Sequence, residues 1–234
     1  MAEPTRHPRD SQRSRVYRAE SPISPSPLPG LDACANFIDR VVGSLWWAQR
    51  FPGHAHDRVP RLRPGNGARQ AFFRPGDPRF DGGEPTITLP RRYRTKGVVL
   101  HELTHWALWD EPLVPHHGST FARLHLDLTE EFISAPRAGQ LEASYVAERV
   151  RIGRAPRAAP DGRLRYGWDE RLRLGRGRRF VIRYHTDDGT GDDLAIGVLI
   201  GLSPGGRRIR LLDALGAAEV ATDAAFAIDV ADPR

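Results

Sequence analysis

The run His101-Glu102-Leu103-Thr104-His105 limits the possible folds more than any other part of the sequence. Histidines four residues apart lie on one face of a helix, so both imidazoles can reach one ion at about 2.0–2.1 Å. Apolar residues at 98–100 and 106–108 flank the run. The flanks favour a buried helix over a surface helix that carries the pattern by chance. Because burying two histidines and a glutamate without partners is costly, a bound metal is predicted.

Glu102 follows the first histidine, which in this motif places its carboxylate beside the open position of the metal. Zinc lowers the pKa of a bound water to about 7, and Glu102 would take its proton and pass it to a leaving amine. Cys34 is the only cysteine, so a disulfide within the chain and a cysteine-based zinc site are excluded. The predicted cofactor is therefore Zn²⁺ held by histidine and carboxylate ligands.

A catalytic zinc normally has three protein ligands, and His117 is our candidate for the third. It precedes a predicted helix in which Phe121, Leu124 and Leu128 would pack and fix the direction of the imidazole. A loop with two prolines separates His117 from His105 and lets the chain turn back over the first helix. The neighbouring His116 is the alternative ligand.

The two motifs together resemble those of the zincin-type metallopeptidases of the SprT/Spartan group. They resemble still more closely a family of metallohydrolases from high-GC bacteria. The likeness covers about residues 31–150 and rests on His101-Glu102-Leu103-Thr104-His105-Trp106 followed by His117-Gly118-Ser119-Thr120-Phe121. It implies that His117 is the third zinc ligand. The chain departs from the SprT group because it has no cysteine zinc ribbon.

The resemblance also implies a substrate. The segment 86–89 would be the strand just before the active-site helix, and in zincins such an edge binds an extended peptide by strand addition. A peptide or protein substrate is therefore expected.

The predicted fold class is α+β, with four regions. Residues 1–30, rich in Arg, Ser and Pro, are predicted to be a disordered tail. Residues 31–150 would form a zincin-like metallopeptidase domain with a small sheet and an active-site helix. Residues 151–178 would be a basic linker, and residues 179–234 a small all-β module, with SH3-like and Sm-like barrels as candidates.

Hydrophobic periodicity predicts the elements of the first domain. One helix should run from Leu31 to just before Phe51, and strands should cover 68–74 and 85–90. Thr95 should cap a helix that ends near residue 109. Two more helices are expected, from about Ser119 and over 138–150. In the β module, strands are predicted over 179–185, 195–202, 207–212 and 225–230.

The segment 149–183 contains twelve arginines, and the chain has a formal net charge of +6. These arginines could follow a phosphate backbone, with Tyr166, Trp168 and Tyr184 stacking on bases, or the segment could be a solvated linker. A second hypothesis for the whole protein follows: a metal-stabilised, nucleic-acid-associated binding protein without hydrolytic activity.

Other histidines, acidic residues and tryptophans are weaker candidates for a site. His54 and His56 beside Asp57 have strand-like spacing, but a loop position is favoured over a second metal site. His125 and Asp127 could orient a ligand imidazole through its other ring nitrogen. Trp46, Trp47 and Trp106 are expected in the core.

No apolar run is long enough for a membrane span, and no signal peptide follows the basic amino terminus, so a cytoplasmic protein without membrane contact is expected. The sequence carries no signal for an oligomeric state. The first hypothesis is a zinc-dependent hydrolase of the metallopeptidase kind, with ligands His101, His105 and His117 and with Glu102 as general base and acid.

Overall fold

A computed structural model describes residues 10–23, 26–51, 54, 59–76, 83–109, 111, 113–158, 164–167, 172, 175–186, 191–203, 208–221 and 224–231. The chain divides into two compact units, Met1–Gly153 and Arg154–Arg234. The first unit combines helices with a three-stranded sheet, and the second contains a five-stranded sheet. The predicted α+β class is therefore confirmed.

The first unit contains six α-helices and three strands among its described residues. The helices are α1 (Arg13–Glu20), α2 (Leu31–Val42), α3 (Leu45–Arg50), α4 (Lys96–Ala107), α5 (Ser119–Phe132) and α6 (Ala135–Ala147). The strands are β1 (Arg61–Pro64), β2 (Phe72–Arg74) and β3 (Thr86–Leu89). No helix in the described part of the chain is long and apolar enough to cross a membrane.

The strand β3 lies in the middle of the small sheet, whose order is β1-β3-β2. It pairs in parallel with β1 and antiparallel with β2, so that Ile87 faces Leu62 on one side and Phe73 on the other. All four of its residues are buried. The strand predicted over 85–90 is therefore present, but it is not the sheet edge that strand addition of a peptide would need, because β1 and β2 occupy its two sides.

The helices α4 and α5 form the centre of the first unit. The Thr95 hydroxyl accepts a hydrogen bond from the Val98 amide (3.3 Å) and caps α4, as predicted. Eight of the twelve residues of α4 are buried. Phe121, Leu124 and Leu128 of α5 are each fully buried, so the periodic positions of the sequence face the core.

The helix predicted to run from Leu31 to before Phe51 is broken into α2 and α3. Ser44 starts α3, because its hydroxyl accepts a hydrogen bond from the Trp47 amide (3.1 Å). Trp47 is 1% exposed and its ring stacks on Trp106 with 5.4 Å between centroids. The predicted core role of these two tryptophans is confirmed.

The amino-terminal region contains the largest departure from prediction. Residues 1–30 were expected to be disordered, but residues 13–20 form α1, in which Val16 and Ala19 are fully buried. The helix packs on α6, and the Ser144 hydroxyl donates a hydrogen bond to the Ala19 carbonyl (2.6 Å). The disordered-tail prediction is wrong for this segment.

The second unit contains two short strands, β4 (Arg157–Ala158) and β5 (Leu164–Arg165), which pair with each other. Its main strands are β6 (Arg179–His185), β7 (Asp192–Leu202), β8 (Arg208–Leu212), β9 (Ala217–Ala221) and β10 (Ala225–Val230). They form an antiparallel sheet in the order β10-β6-β7-β8-β9.

Alternate residues of this sheet form the core of the second unit, and they are Phe180, Ile182, Leu199, Ile209, Leu211, Val220 and Ile228. Strand β9 was not predicted, and part of the predicted linker forms β4 and β5. Residues 159–163, 168–171 and 173–174 of that linker lie outside the described residues.

Candidate metal centre

Three histidines from α4 and from the turn before α5 point their Nε2 atoms at one place. The Nε2 atom of His101 lies 3.2 Å from that of His105 and 3.4 Å from that of His117. A ligand atom from each of the three residues lies within 4.8 Å of the other two. The structure therefore brings together all three histidines that the sequence selected, and this cluster could hold a metal ion.

The spacing of the nitrogens fits a tetrahedral ion. Metal–nitrogen bonds of about 2.0–2.1 Å at tetrahedral angles place two ligand atoms about 3.3–3.4 Å apart. Two of the three Nε2–Nε2 separations, 3.2 and 3.4 Å, agree with this value. The cluster therefore has the donor type and the donor number that a tetrahedral metal ion with one open position requires.

Carboxylates hold the outer nitrogens of two of these imidazoles. His101 Nδ1 lies 2.9 and 3.1 Å from the two carboxylate oxygens of Glu20, and His117 Nδ1 lies 2.6 Å from Asp10 Oδ2. Because a carboxylate accepts hydrogen bonds, the proton of each imidazole is assigned to Nδ1. The inner Nε2 atoms then present lone pairs to one another, an arrangement that a cation between them stabilises.

Burial shifts the pKa values of the cluster. It lowers the pKa of His101 and lowers that of His105 well below the usual value, so both imidazoles favour the neutral form that binds metal. Burial alone would raise the pKa of Glu20, but its contacts with His101 and His125, which donate hydrogen bonds to its carboxylate, lower that pKa well below the usual value. Glu20 is therefore ionised and can accept hydrogen bonds from both histidines.

Glu102 is 3% exposed, between the two histidines of α4 in sequence. Burial raises its pKa to about 8, the nearby charge of Glu20 adds to this, and a hydrogen bond from the backbone N–H of Phe73 opposes it. A carboxyl group with a pKa of about 8 can exchange a proton near neutral pH. A dication held by the histidines would favour the ionised form of this carboxyl group.

Tyr17 of α1 covers the cluster from the side. Its ring stacks on that of His101 with 5.4 Å between centroids and lies 5.2 Å from that of His117. Burial raises the pKa of its phenol and the charge of Glu102 raises it further, so the hydroxyl stays protonated at neutral pH. Tyr17 is 36% exposed.

A cavity of about 460 Å³ adjoins the cluster within the first unit. His101, Glu102 and Tyr17 line the cavity, together with apolar side chains such as Val98, Ile133 and Leu141. Its volume is in the range of small-ligand sites in proteins. A group bound there would lie beside Glu102.

The other candidates from the sequence lie elsewhere. His116, the alternative third ligand, stacks on Trp109 with 5.3 Å between ring centroids and belongs to neither candidate ligand group found among the described residues. Asp127 pairs with Arg123 one helical turn earlier (2.5 Å).

His125 has a place in the hydrogen-bond network behind His101. Its Nδ1 atom lies 2.9 Å from the Tyr145 hydroxyl and 3.2 Å from Glu20 Oε1, and the Tyr145 hydroxyl lies 3.0 Å from the same carboxylate oxygen. Glu20, His101 and His125 form a second group whose atoms could hold an ion. Their contacts form a hydrogen-bond network that reaches His101 through the Glu20 carboxylate.

His54 contacts a backbone carbonyl, and Tyr166 is buried. A ring nitrogen of His54 lies 3.1 Å from the Trp106 carbonyl, while His56, Asp57 and Trp168 lie outside the described residues. Tyr166, expected as a stacking aromatic, is 8% exposed, so its ring is not displayed for a base.

Four residues of the site were not selected from the sequence. Asp10, Tyr17 and Glu20 lie in the region predicted to be disordered, and Tyr145 lies in α6. The carboxylates lie 107 and 81 residues from the histidines that they contact. No local pattern of the sequence connects such distant partners.

Comparison of the chain with protein-family models gives no match. No curated protein and no solved structure matches it significantly either.

Proposed function

We propose that the protein is a zinc-dependent hydrolase of the zincin type that cleaves peptide bonds. The observation that carries the proposal is the convergence of three imidazoles, with the Nε2 atoms of His105 and His117 lying 3.2 and 3.4 Å from that of His101. In this proposal His101, His105 and His117 are the zinc ligands. When bound, zinc supplies Lewis-acid activation of a water molecule and of the substrate carbonyl.

Glu102 is the general base and acid of the proposed reaction. Its carboxylate accepts a proton from the attacking water and delivers it to the amine of the cleaved bond. The Phe73 amide bonded to this carboxylate fixes its direction. Burial keeps bulk water from competing for the proton.

The cavity beside Glu102 supports a peptide substrate. Its apolar walls suit a side chain of a peptide whose scissile bond lies next to His101 and Glu102. The resemblance of the paired motifs to those of SprT-like metallopeptidases favours the same class of substrate.

Metal analysis of purified protein tests the ligand set. We expect about one zinc per chain in the natural protein, and loss of that zinc in His101→Ala and His117→Ala. His116→Ala is the matched control. The His116 ring stacks on Trp109, so its removal should not change the zinc content. Full zinc retention in His117→Ala would remove that residue from the ligand set.

Hydrolysis of a mixture of unstructured peptides tests the reaction. Glu102→Gln should keep its zinc and lose about 10²–10⁴-fold in rate. A variant that keeps both zinc and rate would exclude Glu102 as the base. Zinc binding without hydrolysis of any peptide by the natural protein would favour the nucleic-acid-associated binding protein instead.

A further inference from the structure

One short stretch of chain contacts two of the three proposed ligands. This stretch, residues 10–20, is called the amino-terminal segment below. Asp10 at its start lies 2.6 Å from His117 Nδ1, and Glu20 at its end lies 2.9 Å from His101 Nδ1. Tyr17 between them contacts the rings of both histidines. A segment far away in sequence thus reaches the metal centre at three points.

Polar contacts remote from the histidines attach the segment to the first unit. Gln12 is 1% exposed, and its side-chain amide accepts a hydrogen bond from the Arg151 amide (3.0 Å) and donates one to the Arg151 carbonyl (3.2 Å). At the other end the Ser144 hydroxyl bonds to the Ala19 carbonyl (2.6 Å). Both ends of α1 are therefore anchored on α6 and the turn that follows it.

The carboxylate of Glu20 is also held by a residue of α6. It accepts a hydrogen bond from the Tyr145 hydroxyl (3.0 Å), and Tyr145 is fully buried. A carboxylate held in this way orients the imidazole that it contacts and increases the basicity of the opposite nitrogen. The segment therefore contributes orientation and charge to the metal centre, although none of its residues is a proposed ligand.

We infer that the amino-terminal segment is a positioning element of the metal centre, with docking of the segment and metal binding coupled to each other. Asp10 and Glu20 are the positioning residues. The inference rests on the proposed metal site. Coupling is reciprocal: the factor by which docking increases metal affinity is the factor by which metal favours docking.

The zinc affinity of the full chain, measured by competition with a chromophoric chelator, tests whether docking of the segment increases metal affinity. Asp10→Ala and Glu20→Gln should each lower the affinity about 10–100-fold. Arg18→Gln is the matched control on the same helix, because Arg18 pairs with Glu148 at the surface (2.8 Å). Its affinity should stay within about threefold of the natural value.

Hydrogen exchange of the α1 amides tests whether metal binding favours docking of the segment. Zinc should slow this exchange in the natural protein, and less so in Glu20→Gln. Gln12→Ala removes an anchor without removing a contact to a histidine, and it should also weaken zinc binding. A general structural role would lower the stability of the metal-free protein without making exchange in α1 depend on zinc.

The outcomes separate the two proposals. If the natural protein binds no zinc, the proposed metal site is wrong. In a second outcome the natural protein binds zinc, but Asp10→Ala, Glu20→Gln and Gln12→Ala keep the natural zinc affinity and α1 exchanges at the same rate with and without zinc. In that case the metal site stands and the positioning element is overturned.

Discussion

The α4–α5 pair and the amino-terminal segment hold the same two histidines by different means. The helix α4 supplies His101 and the turn before α5 supplies His117, and both pack against Phe121 of α5, whose ring centroid lies 4.9 Å from each imidazole. The segment contacts them with the carboxylates of Glu20 and Asp10. Apolar packing thus determines the position of each imidazole, and the hydrogen bonds to the carboxylates determine the orientation of its ring.

This difference separates stability from function. Burial of apolar area contributes most of the free energy of folding, whereas a hydrogen bond contributes a small net amount but has a defined direction. Changes in the α4–α5 pair should therefore destabilise the first unit strongly. Changes in the contacts of the segment should destabilise it less and affect mainly the orientation of the ligands.

The largest effect should come from Phe121→Ala. Phe121 is fully buried and contacts all three proposed ligands, with a centroid 4.7 Å from that of His105. Removing the ring should lower the free energy of unfolding by about 3–5 kcal/mol. Urea denaturation of the metal-free protein measures it. Val146→Ala, at a position 65% exposed in α6, is the control, and a loss below about 1 kcal/mol at Phe121 would refute the packing role.

Sequence patterns predicted the parts of the molecule that depend on local contacts or on periodic apolar positions. The apolar positions of α5 recur every three or four residues, and the histidines of α4 are one turn apart, so the helices and the three-histidine cluster could be predicted. The cap at Thr95 is a contact between residues three apart. The helices and the cap can each be recognised within one element, and His117 lies just before the next helix along the chain.

The missed parts depend on distant contacts. The helix α1 has only Val16 and Ala19 as buried residues, so its sequence lacks an apolar stripe and resembles a solvated tail. Strand β1 has the sequence Arg-Leu-Arg-Pro and becomes part of a sheet only by pairing with β3. Neighbours far along the chain, rather than local preference, determine both structures.

A smaller loss is expected from Tyr145→Phe, which keeps the ring and removes the hydroxyl bonded to Glu20. Because the lost hydrogen bond involves a charged group, unfolding should become easier by about 1.5–3 kcal/mol. Tyr184→Phe removes an exposed bond to Asp193 and should change stability by less than about 0.5 kcal/mol. Equal urea midpoints for Tyr145→Phe and the natural protein would show that Glu20 does not depend on this hydroxyl.

A pH effect should arise from Glu102 in the metal-free protein. Its folded pKa of about 8 lies above the ordinary value of 4.5, so its stabilising effect is complete below 4.5 and is lost as the pH rises through 8. His101 and His105 have lowered pKa values, so their effect on stability ends near 6.5. Between pH 6.5 and 8 the free energy of unfolding should approach a fall of about 1.4 kcal/mol per pH unit.

Urea denaturation at several pH values, with Glu102→Gln beside the natural protein, measures this effect. The amide cannot ionise, so the variant should show a flatter profile between pH 6.5 and 8. Parallel profiles for the two proteins would show that the carboxylate does not titrate in this range.

The smallest effect should come from Arg18→Gln. Arg18 and Glu148 form an ion pair of 2.8 Å, but their side chains are 59% and 34% exposed. Such a pair contributes about 0–1 kcal/mol, and salt screens it. Urea denaturation at low and high salt should therefore show a small loss that shrinks as salt increases. A loss above about 2 kcal/mol would mean that the segment is held at its surface rather than by Gln12 and the half-buried carboxylates of Asp10 and Glu20.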